Sequence, residues 1–465
     1  MKKYICILFL IILNNKPMKK IIFTLVIFCC LFQTTYSQTG WYQKQSGTTN
    51  KLHDLYFINE LTGWIVADTA KILKTTNGGL NWSIQQICSA PYPNLYTIKF
   101  ANNSTGYIGA GQDFGDFSEG YLFKSTDMGN SWFVTTSETS NASGYYFSSI
   151  SIINPNIIFA TTSGQYSTGP SVGEVRKSTN GGTNFLPGYG CGAHLSISFI
   201  NEQTGWTSAF YMSDVGPRKG YILKTTNTGT NWITQYKDTI SPIRPNKIQF
   251  IDNNTGYAVG VAVFVSPPYA KFLKTTNGGN NWNISTVSNS YKSVSLFFID
   301  ANTGWLCGSA YGGDNSAISR TTNGGLTWAN QMQNVMTSLN NIFFVNSLTG
   351  YAVGNNGLIY KTVTGGVTGI KSVGNVIPDK YSLYQNYPNP FNPSTKIRYT
   401  IPHTVNAKII VYDVTGREIE TLVNEKQSPG TYEVTFDGSG YPSGIYFCRM
   451  NTKDFSKTIK ISLVK

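Results

Sequence analysis

Six carboxylates, Asp113, Asp116, Glu119, Glu174, Asp214 and Asp314, lie in Gly- and Ser-rich stretches that also carry an unusual density of aromatic rings. A pair of carboxylates at a set separation hydrolyses glycosidic bonds, one as acid and the other as base or nucleophile. Rings beside Asn, Ser and Asp instead hold sugars or peptides by stacking and hydrogen bonding. The candidate ligand-binding residues are Tyr92, Phe114, Phe117, Tyr145, Tyr166, Tyr211, Arg218, Tyr269, Tyr311 and Asp314. A loop carboxylate becomes a general acid only when burial or a partner perturbs it. Binding of a polysaccharide or a surface protein is therefore the first expectation, and a glycoside hydrolase or lyase the alternative.

Other chemistries lack their residues. His53, His194 and His403 are the only histidines and have no metal-ligand spacing. Asp113-Phe114-Gly115-Asp116 is too short for a calcium loop. No phosphate loop, dinucleotide fingerprint or G-x-S-x-G elbow occurs, so neither metal nor cofactor is expected.

The elements that must position these residues come from a repeat. KTTNGGLNW at residues 74–82 recurs as KSTDMGNSW (124–132), KSTNGGTNF (177–185), KTTNTGTNW (224–232), KTTNGGNNW (274–282), RTTNGGLTW (320–328) and a shortened KTVTGG (361–366). The starts are 50, 53, 47, 50, 46 and 41 residues apart. That period marks supersecondary units that must stack to bury a core. Before each phrase runs an apolar strand and a T-G-[WY] turn, except at Asn154-Pro155-Asn156 in the third unit. Four short strands per unit with Gly/Asn turns describe one propeller blade.

The fold expected is all-β: a seven-bladed β-propeller over residues 38–366, closed by an N-terminal strand. The seventh unit lacks a Trp after Gly366, and Trp41-Tyr42-Gln43-Lys44 fills the missing outer strand. The stretches joining second to third strands, residues 109–120, 161–173, 208–220, 260–270 and 308–316, read as long loops on one face. Long loops on a rigid scaffold are where binding resides.

Charged residues are only 13% of the 465, and the formal charge is +13. Removing the five lysines of residues 1–37 leaves 31 of 36 basic side chains against 23 acidic ones, or +8, scattered along the chain. Nucleic acid is excluded on that pattern. Residues 1–37 read as a signal peptide, with Met18-Lys19-Lys20 before an apolar run and small residues ahead of Gln38. Residues 1–17 read as a start-site artefact. No integral membrane segment is expected once the leader is removed. Cys88, Cys191, Cys307 and Cys448 remain, an even number that permits disulfides but falls in different units.

Residues 367–380 read as a linker, and 381–465 as a small C-terminal β-sandwich with alternating strands. YPNPFNPST from Tyr387, VYDVTGREIETL from Val411 and PSGIYFCR from Pro442 resemble the type A C-terminal sorting domain of type IX secretion. That resemblance implies the secretion machinery as a partner and an extracellular or outer-membrane surface location. The phrase at 124–132 resembles the Asp-box (bacterial neuraminidase) repeat S-x-D-x-G-x-x-W through Ser125, Asp127, Gly129 and Trp132. The T-G-W…K-T-T-N-G-G-x-x-W grammar of residues 40–366 is similar to the photosystem II assembly and stability factor family of seven-bladed propellers. These motifs build blades, so the resemblance implies a fold and no activity.

Overall fold

A computed structural model describes residues 40–89, 92–115, 117–165, 170–190, 192–212, 219–238, 243–262, 269–287, 291–310, 315–366, 370–372, 378–427, 429–438 and 441–465. The expected signal peptide lies outside them, as do Cys191 and the four candidates Tyr166, Arg218, Tyr311 and Asp314.

Among the described residues, 40–366 form seven antiparallel sheets with a four-strand path each. Six follow chain order. The seventh joins Leu339–Phe344, Gly350–Gly354 and Ile359–Gly366 to Gly40–Lys44 as its outermost strand. Each first strand packs against the first strand of the next sheet, and the seventh packs back on the first.

The repeat residues account for this packing one by one. In the phrase, Thr75 Oγ1 accepts from Gly79 N–H at 2.8 Å, and Asn77 Oδ1 accepts from Asn81 N–H at 3.0 Å. Gly79 has φ +74°, which a side-chain-bearing residue would resist. Ser125 and Asp127 do the same work in the second unit. Hydrogen bonds from Ser131 hold the Asp127 carboxyl down at about 2, so it stays ionised in its turn.

The opening Lys or Arg of the phrase lies over the aromatic side chain that begins the neighbouring second strand. Lys74 covers Trp64 at 5.5 Å, Lys224 covers Trp206 at 5.1 Å and Arg320 covers Trp305 at 5.4 Å. The other face of that ring carries the next sheet. Trp206 stacks on Phe250 at 3.5 Å, Tyr257 on Phe298 at 3.6 Å, and Tyr351 of the seventh sheet on Phe57 of the first at 4.1 Å. Each such ring buries a large apolar area between sheets and adds a cation–π term, which together hold neighbours in register. Between the second and third sheets Ile152 takes the place of Phe, and Tyr107 donates to Pro155 O at 2.7 Å, as Tyr257 does to Ala301 O and Tyr351 to Gly78 O.

Of the stretches expected as long loops, the described ends are paired strand, while residues 116, 166–169, 213–218, 263–268 and 311–314 lie outside the described residues. Gln112 pairs with Glu119, Tyr211 with Lys219 and Ala262 with Tyr269, so the second and third strands stay paired into these stretches. Their Gly and Ser residues read as breakers, but cross-strand pairing satisfies the backbone groups that an open loop would leave to water.

The C-terminal residues form two four-stranded sheets. One runs Ile370–Ser372, Gly430–Asp437, Ser394–Ile401, Ser382–Leu383; the other runs Glu418–Gln427, Val405–Tyr412, Gly444–Asn451, Ser456–Leu463. Alternating residues such as Ile397, Tyr399, Ile409, Val411, Cys448 and Ile461 make their shared core. Ile370–Ser372, within the expected linker, pairs with the free edge of Gly430–Asp437. Phe391 of the YPNPFNPST motif is buried and bonds through its backbone to Ser462 and Val464. Cys307 and Cys448 are buried free thiols, and Cys88 is a half-buried one.

Candidate functional site

The hairpin extensions bring some of the expected residues together. Tyr145, from the first strand of the third sheet, and Tyr211, from the second strand of the fourth, line one cleft of about 800 Å³ with Tyr221. Its polar wall is Glu138, Glu174 and Arg176. Arg176 bridges the two carboxylates: Nη1 pairs with Glu138 Oε1, and Nε with Glu174 Oε2 at 2.8 Å. Burial works to lower the Arg176 pKa, and the carboxylates of Glu138 and Glu174 outweigh it, so the guanidinium is firmly charged.

Tyr145 Oη donates to Glu138 Oε2 at 3.0 Å. Burial first, then the Glu138 charge, pushes its pKa up to about 12. The phenol therefore stays protonated and serves as a donor, not a base. Tyr211 is half-buried and offers its ring to the cleft, with Lys219 Nζ 5.9 Å from the ring centroid.

A carboxylate that already accepts from a guanidinium must break an ion pair before it can shuttle a proton. Glu138 and Glu174 are partly buried in an aromatic cleft, as a hydrolase requires, but Arg176 compensates both. Tyrosine faces with an ordered carboxylate–guanidinium network suit sugar rings and their hydroxyls.

The remaining candidates sit elsewhere. Phe114 and Phe117 stack on each other at 4.8 Å at an exposed hairpin tip of the second sheet. Tyr92 is exposed between the first and second sheets. Tyr269 lies under Lys271, 4.9 Å from its ring centroid, in the fifth sheet. Among the described residues no cluster of three His, Cys, Asp or Glu could hold a metal ion.

Glu138 and Tyr221 escape a reading of the sequence because they lie within strands, Phe133–Ser140 and Lys219–Thr225. The visible signal is the length of the former. It runs eight residues, against four for the corresponding Ser83–Gln86 and Asn283–Thr286, and so carries Glu138 out to the cleft.

No curated protein sequence matches the chain. Among solved structures, it is similar to YCF48 bound to a D1 peptide, at 18% identity over 70% of this chain and 97% of that one, with a TM-score of 0.52. YCF48 from Cyanidioschyzon merolae is similar over 69% of this chain and 98% of that one, at 18% identity and a TM-score of 0.49. PorZ, an essential surface component of the type-IX secretion system of Porphyromonas gingivalis, is similar over 87% of this chain and 64% of that one, at 12% identity and a TM-score of 0.37. The first likeness makes residues 40–366 a β-propeller fold. Residues 385–464 match the secretion system C-terminal sorting domain, so the chain carries a type IX export module and is directed to the cell surface or the extracellular space.

Proposed function

We propose that this protein is a secreted, seven-bladed propeller that binds a polysaccharide through the cleft of Tyr145, Tyr211 and Tyr221. The observation that carries this reading is the cleft itself: tyrosine faces beside a Glu138–Arg176–Glu174 network held ready for hydroxyl groups. A preformed wall of this kind binds without first paying to order its polar groups. The ring closes through Gly40–Lys44, the mature chain starts at Gln38 after signal cleavage, and the hairpin phrase is an Asp-box turn. Residues 367–380 lead into a type A sorting module, a small β-sandwich over 381–465 that engages the type IX machinery. Phe114, Phe117, Tyr92 and Tyr269 do not line this cleft, and Tyr166, Arg218, Tyr311 and Asp314, outside the described residues, are proposed as further contacts on the sequence alone.

A second reading, a glycoside hydrolase or lyase, draws on the proximity of Glu138 and Glu174. Incubating the full mature chain with neutral and acidic polysaccharides separates the two. Binding predicts no new reducing ends and no unsaturated products. Turnover that Glu138→Gln abolishes would replace the first reading with the second.

A further inference from the structure

The first strands of the seven sheets line an axial cavity of about 290 Å³. As sheet edges they present backbone N–H groups that no further strand pairs, and side chains of the preceding sheet take them up. Asp54 Oδ2 accepts from Ile98 N–H at 3.0 Å, Ser149 Oγ from Ile197 N–H at 3.4 Å and Ser196 Oγ from Ile248 N–H at 3.2 Å. Two residues further along, Ser151 Oγ accepts from Phe199 N–H, Ser198 Oγ from Phe250 N–H and Gln249 Oε1 from Phe298 N–H. Every one of the seven strands has a register shift just before the first of these positions. A bulge re-aims side chains, here toward the axis.

Two positions break the pattern with a basic side chain. Lys247 stands where Asp54, Ser149 and Ser196 stand in other sheets, and Lys99 where Ser151, Ser198 and Gln249 stand. The one carboxylate lining the cavity, Asp54, is already engaged. It accepts from Leu55 N–H, Asn341 Nδ2, Thr97 Oγ1 and Ile98 N–H, with Lys99 Nζ at 3.8 Å. Among the described residues Lys247 has neither a hydrogen bond nor an ion pair. Burial and the nearby Lys99 charge push its pKa down. Two basic side chains, Lys99 and Lys247, thus line a small cavity whose one carboxylate already accepts four hydrogen bonds. An uncompensated buried charge is costly, and a bound anion removes the cost.

We propose that the axial cavity is a binding site for a compact oxyanion group, a sulfate or phosphate, held between Lys99 and Lys247. Ser151 and Ser198 supply hydroxyl donors around it. Tyr56, Phe297 and Phe343 narrow the cavity toward the T-G turns, with Phe297 and Tyr56 both packed on Phe343 at 5.0 and 5.5 Å. A free ion or a terminal sulfate on a sugar passes that restriction more readily than a polymer backbone.

The test is isothermal titration of the full mature chain with sodium sulfate and sodium phosphate, against sodium chloride at matched ionic strength. A sulfated disaccharide and its unsulfated parent form a second arm. Saturable oxyanion heat is expected, weakened at least tenfold in Lys247→Ser, which restores the hydroxyl of the other sheets, and retained in Lys247→Arg. Lys99→Gln gives an independent reading, with the same loss expected. Binding of free sulfate identifies an inorganic ligand; binding of the sulfated disaccharide alone identifies a sugar-borne group. Absence of any oxyanion-specific heat in the wild-type chain, or equal affinity in Lys247→Ser and Lys99→Gln, overturns the proposal.

Discussion

Trp41 meets Phe344 edge-on, with ring centroids 5.7 Å apart and planes at 90°. The two residues come from opposite ends of the first 366. The geometry repeats that of Trp82 on Phe57, Trp132 on Phe100 and Trp282 on Phe250, where each hairpin Trp abuts the first-strand Phe of its own sheet. Trp41 therefore occupies the hairpin-Trp position of the seventh sheet. Its Nε1 also donates to Gln331 Oε1 of the sixth sheet at 3.1 Å, tying the last joint.

Trp41→Ala removes this contact and leaves a void beside Phe344. Loss of a buried Trp costs about 3–5 kcal/mol. Urea denaturation of the mature chain is expected to show that loss, and an unchanged midpoint would assign closure to other contacts.

His194 is fully buried in the first strand of the fourth sheet, with Nδ1 3.1 Å from Thr207 Oγ1. Burial pushes its pKa from the ordinary 6.5 down to about 3. Below 6.5 the unfolded chain binds a proton that the folded chain does not, so stability is full above that pH and falls as pH drops toward 3. The slope from this one group is about 1.4 kcal/mol per pH unit. His194→Gln is expected to flatten the wild-type decline between pH 6.5 and 5 by about 2 kcal/mol, read from urea midpoints. Parallel pH curves for the two proteins would contradict it.

Phe250 stacks on Trp206 at 3.5 Å and carries the joint between the fourth and fifth sheets. Phe250→Ala is expected to cost about 3–5 kcal/mol. Lys224→Met, which keeps the apolar stem over Trp206 and loses the charge 5.1 Å from it, is expected to cost about 0.5–2 kcal/mol. Comparable losses in the two variants would mean that the cation, not the stacked ring, holds the joint.

Export is tested by truncation. Removing residues 381–465 is expected to retain the protein in the periplasm of a type IX-competent host, as read by fractionation and immunoblotting. Normal release of the truncated chain would separate export from the sorting module.

The fold was legible because its determinants repeat in chain order. Thr75, Asn77 and Gly79 announce a turn wherever they recur, and the missing Trp after Gly366 points to Trp41. The cleft was legible only in part. Tyr145 and Tyr211 stood out as aromatics, but Glu138 lies in an outer strand, and its partner Arg176 is 38 residues away in sequence. The strand ends that flank the expected loops were not legible because Gly and Ser interrupt them. Lys99 and Lys247 passed as ordinary members of apolar strands. Aligning the first strands against one another would have exposed them as the lysines standing at axis-facing positions.

The proposal that the cleft binds a polysaccharide is tested most directly by affinity electrophoresis of the full mature chain through gels containing individual polysaccharides, run beside Tyr211→Ala and Arg176→Ala. At least one polysaccharide is expected to retard the wild-type chain, with affinity falling about tenfold in each variant, or ~1.4 kcal/mol. Equal retardation of all three proteins, or none of the wild-type chain by any polysaccharide, would contradict it.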